Sequence, residues 1–216
     1  MSDLQDYSFN SSSKPAQKLV IFLHGYGADG KDLISIAPMW AEGLPNTVFY
    51  APNAPERCEM SPTGFQWFGL SDRSETAMNL GAQTAKRGLE AYIQQKIETH
   101  NLSMSDVAIV GFSQGTMMAL YTMPQLSEGA CAGVLGYSGR LVGLDDIKAN
   151  LNAKFPICAI HGTADEVVPF ESLAIIDKEL SPLGFDIKTY ESAGLGHGID
   201  EKGLKTGYKF LKDCLK

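Results

Sequence analysis

Gly111-Phe112-Ser113-Gln114-Gly115 stands directly behind the apolar run Val107-Ala108-Ile109-Val110. Glycine two positions either side of a serine is what a sharp strand-to-helix elbow requires, because such a turn leaves no room there for side chains. The elbow lifts the hydroxyl clear of its sheet, where it can attack a carbonyl carbon. A serine is a poor nucleophile at its own pKa, so the chemistry also needs a neutral imidazole to take the proton and a carboxylate to orient that imidazole. Both occur downstream, each behind a strand-like run: residues 157–160 lead into His161-Gly162-Thr163-Ala164-Asp165, and 187–190 lead into Ser192-Ala193-Gly194-Leu195-Gly196-His197-Gly198. Ser113, Asp165 and His197 are therefore the candidate nucleophile, acid and base.

Serine, acid, histidine is the chain order of the α/β-hydrolase arrangement and of neither the chymotrypsin nor the subtilisin scaffold. Glu166 is the rival acid, and capping of the following helix is the rival role for Asp165. His24 and His161 also end strands beside glycine, but neither follows the acid, so both are assigned supporting or packing roles. The charge on a tetrahedral intermediate calls for two backbone N–H donors. One belongs on the residue after the nucleophile, Gln114, and the other on an early loop, where the strand 19–23 ends in His24-Gly25-Tyr26-Gly27 and Tyr26 is the candidate. Each such donor contributes about 3 to 4 kcal/mol in the transition state.

The elements that must position these residues alternate, which predicts an α/β fold with a mostly parallel central sheet and helices on both faces. Strands are expected at 19–23, 47–51, 107–111, 133–137, 157–160 and 186–190. A helix over 77–99 carries Gly81, Ala85, Leu89, Ile93 and Ile97 every four residues, and another over 201–215 carries Leu204, Tyr208, Leu211 and Leu215. Open parallel sheets place their sites outside the carboxyl ends of the strands, so three loops would deliver Ser113, Asp165 and His197 to one edge. The Pro-, Gly- and aromatic-rich stretch 52–74 is the longest irregular segment and is expected to overhang that edge. Trp67, Phe68, Leu70, Met117 and Val168 are candidates for an apolar acyl pocket, with core packing the competing role for the two aromatics.

Six segments in order resemble one family. Phe22-Leu23-His24-Gly25-Tyr26-Gly27-Ala28-Asp29, Ala51-Pro52-Asn53-Ala54-Pro55, Trp67-Phe68, the elbow, His161 to Pro169, and Gly196-His197 look like the phospholipase/carboxylesterase family, which includes acyl-protein thioesterases and small bacterial carboxylesterases. The resemblance runs from about Lys18 to the last helix. It implies a cofactor-free serine hydrolase of the α/β-hydrolase fold, acting on carboxylic esters of small to medium acyl chains, with homodimers a common state. It supports the triad above and places the oxyanion donors at Tyr26 and Gln114. Two positions depart from the family's habit: Tyr26, where leucine often follows His-Gly, and Thr116, where many members carry a further glycine.

Composition sets the remaining bounds. A chain of 216 residues with 44% hydrophobic content suits a single domain, with 1–16 a polar N-terminal segment. A net charge of −7 with scattered basic residues argues against nucleic acid, and the lack of a long apolar run argues against a membrane span or signal peptide, so a cytoplasmic location is expected. Cys58, Cys131, Cys158 and Cys214 show no metal or redox spacing. No cofactor or metal is expected; the partner is a small-molecule ester or thioester. Acyl-protein thioesterase or lysophospholipase activity is the alternative, and a non-catalytic hydrolase-fold receptor is more distant.

Overall fold

The computed structural model describes residues 4–216. In chain order the elements are β1 (Asp6–Asn10), β2 (Lys18–Leu23), α1 (Gly30–Ile34), α2 (Ala37–Ala41), β3 (Thr47–Pro52), β4 (Glu56–Arg57), β5 (Phe65–Gln66), α3 (Glu75–His100), β6 (Val107–Phe112), α4 (Gln114–Thr122), β7 (Gly133–Tyr137), α5 (Leu144–Ala149), β8 (Ile157–Gly162), α6 (Ser172–Leu180), β9 (Ile187–Ser192) and α7 (Glu201–Cys214). Seven strands form one sheet in the order β1-β3-β2-β6-β7-β8-β9, and β4 pairs with β5 in a small separate ribbon. Every pairing in the large sheet is parallel except β1 on β3.

Burial on both faces explains why the central strands read as continuous apolar runs. Along β2, Leu19, Ile21 and Leu23 face one core, while Val20 and Phe22 face the other. The same alternation repeats in β6, with Val107 and Ile109 on the first side and Ala108 and Val110 on the second. The first core is closed by α3 through Met78, Ala82, Ala85, Leu89, Ile93 and Ile97, together with α4 and α6. The second is closed by α1, α2 and α7 through Leu33, Trp40, Phe210 and Leu211. Helix α3 starts at Ser74, whose hydroxyl accepts the Ala77 N–H, and stops at Asn101 in the left-handed conformation.

Two features go beyond the sequence reading. The polar N-terminal segment contains β1, and the stretch 52–74 contains the β4–β5 ribbon. Cys58, Cys131 and Cys158 are buried free thiols, and Cys214 is half-buried; burial pushes Cys158 up to about 12 and Cys214 up to about 11.

Candidate active site

The elbow follows from steric necessity. Ser113 joins β6 to α4 with φ 53° and ψ −116°, a conformation that costs an L-residue about 1 to 3 kcal/mol and is retained only where the surroundings impose it. Those surroundings are tight: a Cβ on Gly115 would lie 1.8 Å from the Leu23 carbonyl oxygen, and one on Gly111 would lie 2.5 Å from the Thr116 nitrogen. The Ser113 N–H donates to the Tyr137 carbonyl at 2.9 Å, and Ser113 O accepts the Met117 N–H at 3.1 Å. Both ends of the turn are thus tied down. Thr116 is accommodated by compensating small residues, since a Cβ on Gly136 or Gly139 would meet its side chain at 2.5 and 2.3 Å. Its hydroxyl donates to the Tyr137 carbonyl at 2.9 Å.

Asp165 and His197 arrive from the ends of β8 and β9. His197 Nδ1 lies 2.8 Å from Asp165 Oδ2, and the carboxylate is fully shielded from solvent. Its other oxygen accepts the Val167 and Val168 N–H groups at 2.9 Å each. His161 completes the shell, its Nε2 lying 3.2 Å from Asp165 Oδ2 and 3.0 Å from the Val168 carbonyl. Burial alone would push the Asp165 carboxyl up, but the bond from His197, the two backbone donors and the His197 charge outweigh it and leave the carboxyl below its ordinary value. Glu166 is exposed and makes none of these contacts. Phe112, adjacent to Ser113, packs its ring 5.0 Å from the His197 ring. The arrangement therefore brings Asp165 and His197 together as a hydrogen-bonded pair beside the elbow. The Ser113 hydroxyl makes no side-chain cap bond to α4 among the described residues.

Tyr26 and Gln114 occupy the loop after β2 and the first residue of α4. Neither backbone N–H donates to any group among the described residues. A single segment braces both. Phe65 O accepts the Gly27 N–H at 2.9 Å and Phe65 N–H donates to Ala28 O at 2.8 Å, while the Gln114 side chain accepts the Trp67 N–H at 2.9 Å and donates to Phe68 O at 2.8 Å. The Gln114 amide side chain is thus a structural clamp, a role not apparent from its place in the motif. The Tyr26 phenol reaches Glu59 Oε2 at 3.4 Å, and the Ser71 hydroxyl meets the same oxygen at 2.6 Å. Burial and the neighbouring Cys58 and Glu59 push the Tyr26 phenol well above its ordinary value.

The expected acyl-pocket residues lie behind this surface. Trp67, Phe68, Met117 and Val168 are buried in the core under α3, and Leu70 is partly buried against it. The Trp67 indole donates to the His24 carbonyl at 3.0 Å. A cleft of about 640 Å³ opens instead among the start of α3 (Glu75, Met78), the loop after β7 with the start of α5 (Arg140 to Asp145) and the loop after β8 with the start of α6 (Pro169, Glu171, Ser172, Ile175). None of the five expected residues lines it.

Strand order, elbow and the Asp165–His197 pair at the carboxyl edge define an α/β-hydrolase. A family model described as phospholipase/carboxylesterase matches residues 5–215, and the chain belongs to that family, whose carboxylesterase class of hydrolase it shares. The acyl-protein thioesterase 1 of Debaryomyces hansenii is 28% identical, with 95% of this chain and 95% of the relative covered. Esterase YpfH of Escherichia coli is 23% identical over 94% of this chain and 85% of the relative. The solved structure of esterase PE8 is 37% identical, covers 98% of this chain and 99% of its own, and superposes with a TM-score of 0.94. Among the described residues no helix is long and apolar enough to cross a membrane.

Proposed function

We propose that this chain hydrolyses carboxylic esters of small to medium acyl chains through Ser113, His197 and Asp165. His197 Nε2 takes the Ser113 proton as Oγ attacks the carbonyl carbon, and the oxyanion is received by the Tyr26 and Gln114 N–H groups. Collapse breaks the bond to the leaving oxygen, which takes the proton from His197; water then repeats the cycle and frees the acid. The observation that carries the reading is the shielded Asp165–His197 bond at 2.8 Å beside a serine in a strained elbow. The five apolar residues act in this reading as the wall behind the acyl chain, with Leu70 the one only partly buried.

Relatives named as acyl-protein thioesterases favour a second reading, the same steps on a thioester. The test is turnover of p-nitrophenyl esters from acetate to palmitate alongside acyl-thioesters, with Ser113→Ala and fluorophosphonate labelling. Turnover and labelling that vanish together in Ser113→Ala are expected. Persistent turnover would overturn the mechanism, and a folded protein that neither labels nor turns over would point to the receptor reading. The homodimer and cytoplasmic location implied above belong to this proposal, and sedimentation and fractionation would check them.

A further inference from the structure

An oxyanion donor is useful only if its peptide plane is held the right way round, and the plane carrying the Tyr26 N–H is held from its opposite end. That end is the Gly25 carbonyl. It accepts His24 Nδ1 at 2.7 Å and the Ala28 N–H at 3.2 Å, and the trans peptide geometry then sends the Tyr26 N–H the other way. The His24 tautomer is fixed by a third group. His24 Nε2 accepts the Ala54 N–H at 2.9 Å, so that nitrogen carries no proton and the proton of the neutral ring sits on Nδ1. The ring is fully buried and 5.8 Å from the Trp67 ring. Burial holds the imidazole below its ordinary value, which keeps it neutral.

We infer that His24 is a positioning residue for the oxyanion hole: as the Nδ1–H tautomer locked by Ala54, it pins the Gly25 carbonyl and so aims the Tyr26 N–H at the reacting carbonyl. Rotation of that one peptide would turn a carbonyl oxygen toward the developing negative charge. This rests on the function proposed above.

Two substitutions separate the two bonds. His24→Asn keeps a donor at the Nδ1 position and loses the acceptor for Ala54; His24→Gln keeps an acceptor near Nε2 and loses the donor to Gly25. His24→Gln should lower kcat about 10²-fold with KM little changed, the cost of one oxyanion donor, while His24→Asn keeps kcat within a few-fold although both variants lose thermal stability. A purely structural histidine would instead lower kcat in step with stability. Equal impairment of the two variants, or a His24→Gln enzyme with wild-type kcat, would overturn the inference. Should neither variant fold, the ¹⁵N spectrum of the wild-type histidines decides: a neutral Nδ1–H ring at His24 is expected, and an Nε2–H ring refutes the assignment. Ser113→Ala in the same assay separates this from failure of the underlying mechanism, since residual turnover there would discredit the triad first.

Discussion

Asp165 is held by His197 Nδ1 at one carboxylate oxygen and by two backbone N–H groups at the other, with His161 Nε2 3.2 Å away. Asp165→Asn would present an amide N–H or a weaker acceptor to His197 Nδ1 and favour the wrong imidazole tautomer. Its kcat should fall about 10⁴-fold, whereas Glu166→Gln, an exposed change, should leave kcat near wild type; the reverse order would reassign the acid. Ser113→Ala and His197→Ala should each cost several orders of magnitude while the folded state persists. Acid stability depends on two buried groups, His24 and Asp165. His24 is held below its ordinary 6.5, so the unfolded chain takes up a proton that the folded chain refuses, and stability declines as pH falls below about 6.5. Asp165 is held below its ordinary 3.8; its contribution is present above that value and is lost as pH falls further. Thermal melts from pH 8 to 3 should show decline in both windows, and a flat profile between pH 7 and 5 would contradict the burial of a neutral His24.

Among elements, the elbow between β6 and α4 was legible because its cause is local: two glycines and a serine at fixed spacing behind an apolar strand. Gly115→Ala tests it directly. The added Cβ would meet the backbone oxygen of Leu23 at 1.8 Å, an atom of a central strand that cannot yield cheaply. Destabilisation of about 1 to 3 kcal/mol or more, measured by urea unfolding, should accompany a loss of Ser113 labelling rate. The segment 52–74 was less legible. Its position over the site was expected, but what fastens it depends on contacts between distant residues: Phe65 with Gly27 and Ala28, Gln114 with Trp67 and Phe68, Glu59 with Ser71 and Tyr26. No periodicity encodes such pairs. The aromatic pair Trp67-Phe68 illustrates the limit, since apolar type alone does not say whether a ring faces substrate or core; both are buried in the cluster that α3 closes.

At the scale of the whole molecule, the sheet's parallel interior was readable from apolar runs, but its antiparallel edge was not. β1 reads DYSFN, half of it polar, because an edge strand buries one face only. What makes it a strand is supplied from elsewhere in the chain. It pairs with β3 from Asp6 opposite Pro52 to Asn10 opposite Val48, and Phe9 packs its ring 6.3 Å from that of Phe49. Asp6 is shared by two groups on α3, accepting the Tyr92 hydroxyl at 2.7 Å and pairing with Lys96. The Gln5 carbonyl takes the Asn53 N–H at 2.7 Å, one residue before the Ala54 whose N–H fixes His24. Deleting residues 1–10 should therefore do more than trim a tail. It would strip the ladder from one side of β3, leave Tyr92 and Lys96 without their carboxylate, and expose a strand with unpaired backbone groups and an apolar sequence, TVFYAP. At about 1 kcal/mol for each lost hydrogen bond, offset by the chain entropy regained, a net loss of about 3 kcal/mol is expected. For a chain of this size that lowers Tm by about 10 °C. Concentration-dependent light scattering on warming should appear alongside, because the uncovered edge can pair with another copy. A truncated chain that melts at the wild-type temperature without scattering would mean that β3 needs no cover, and that the polar segment contributes little to the fold.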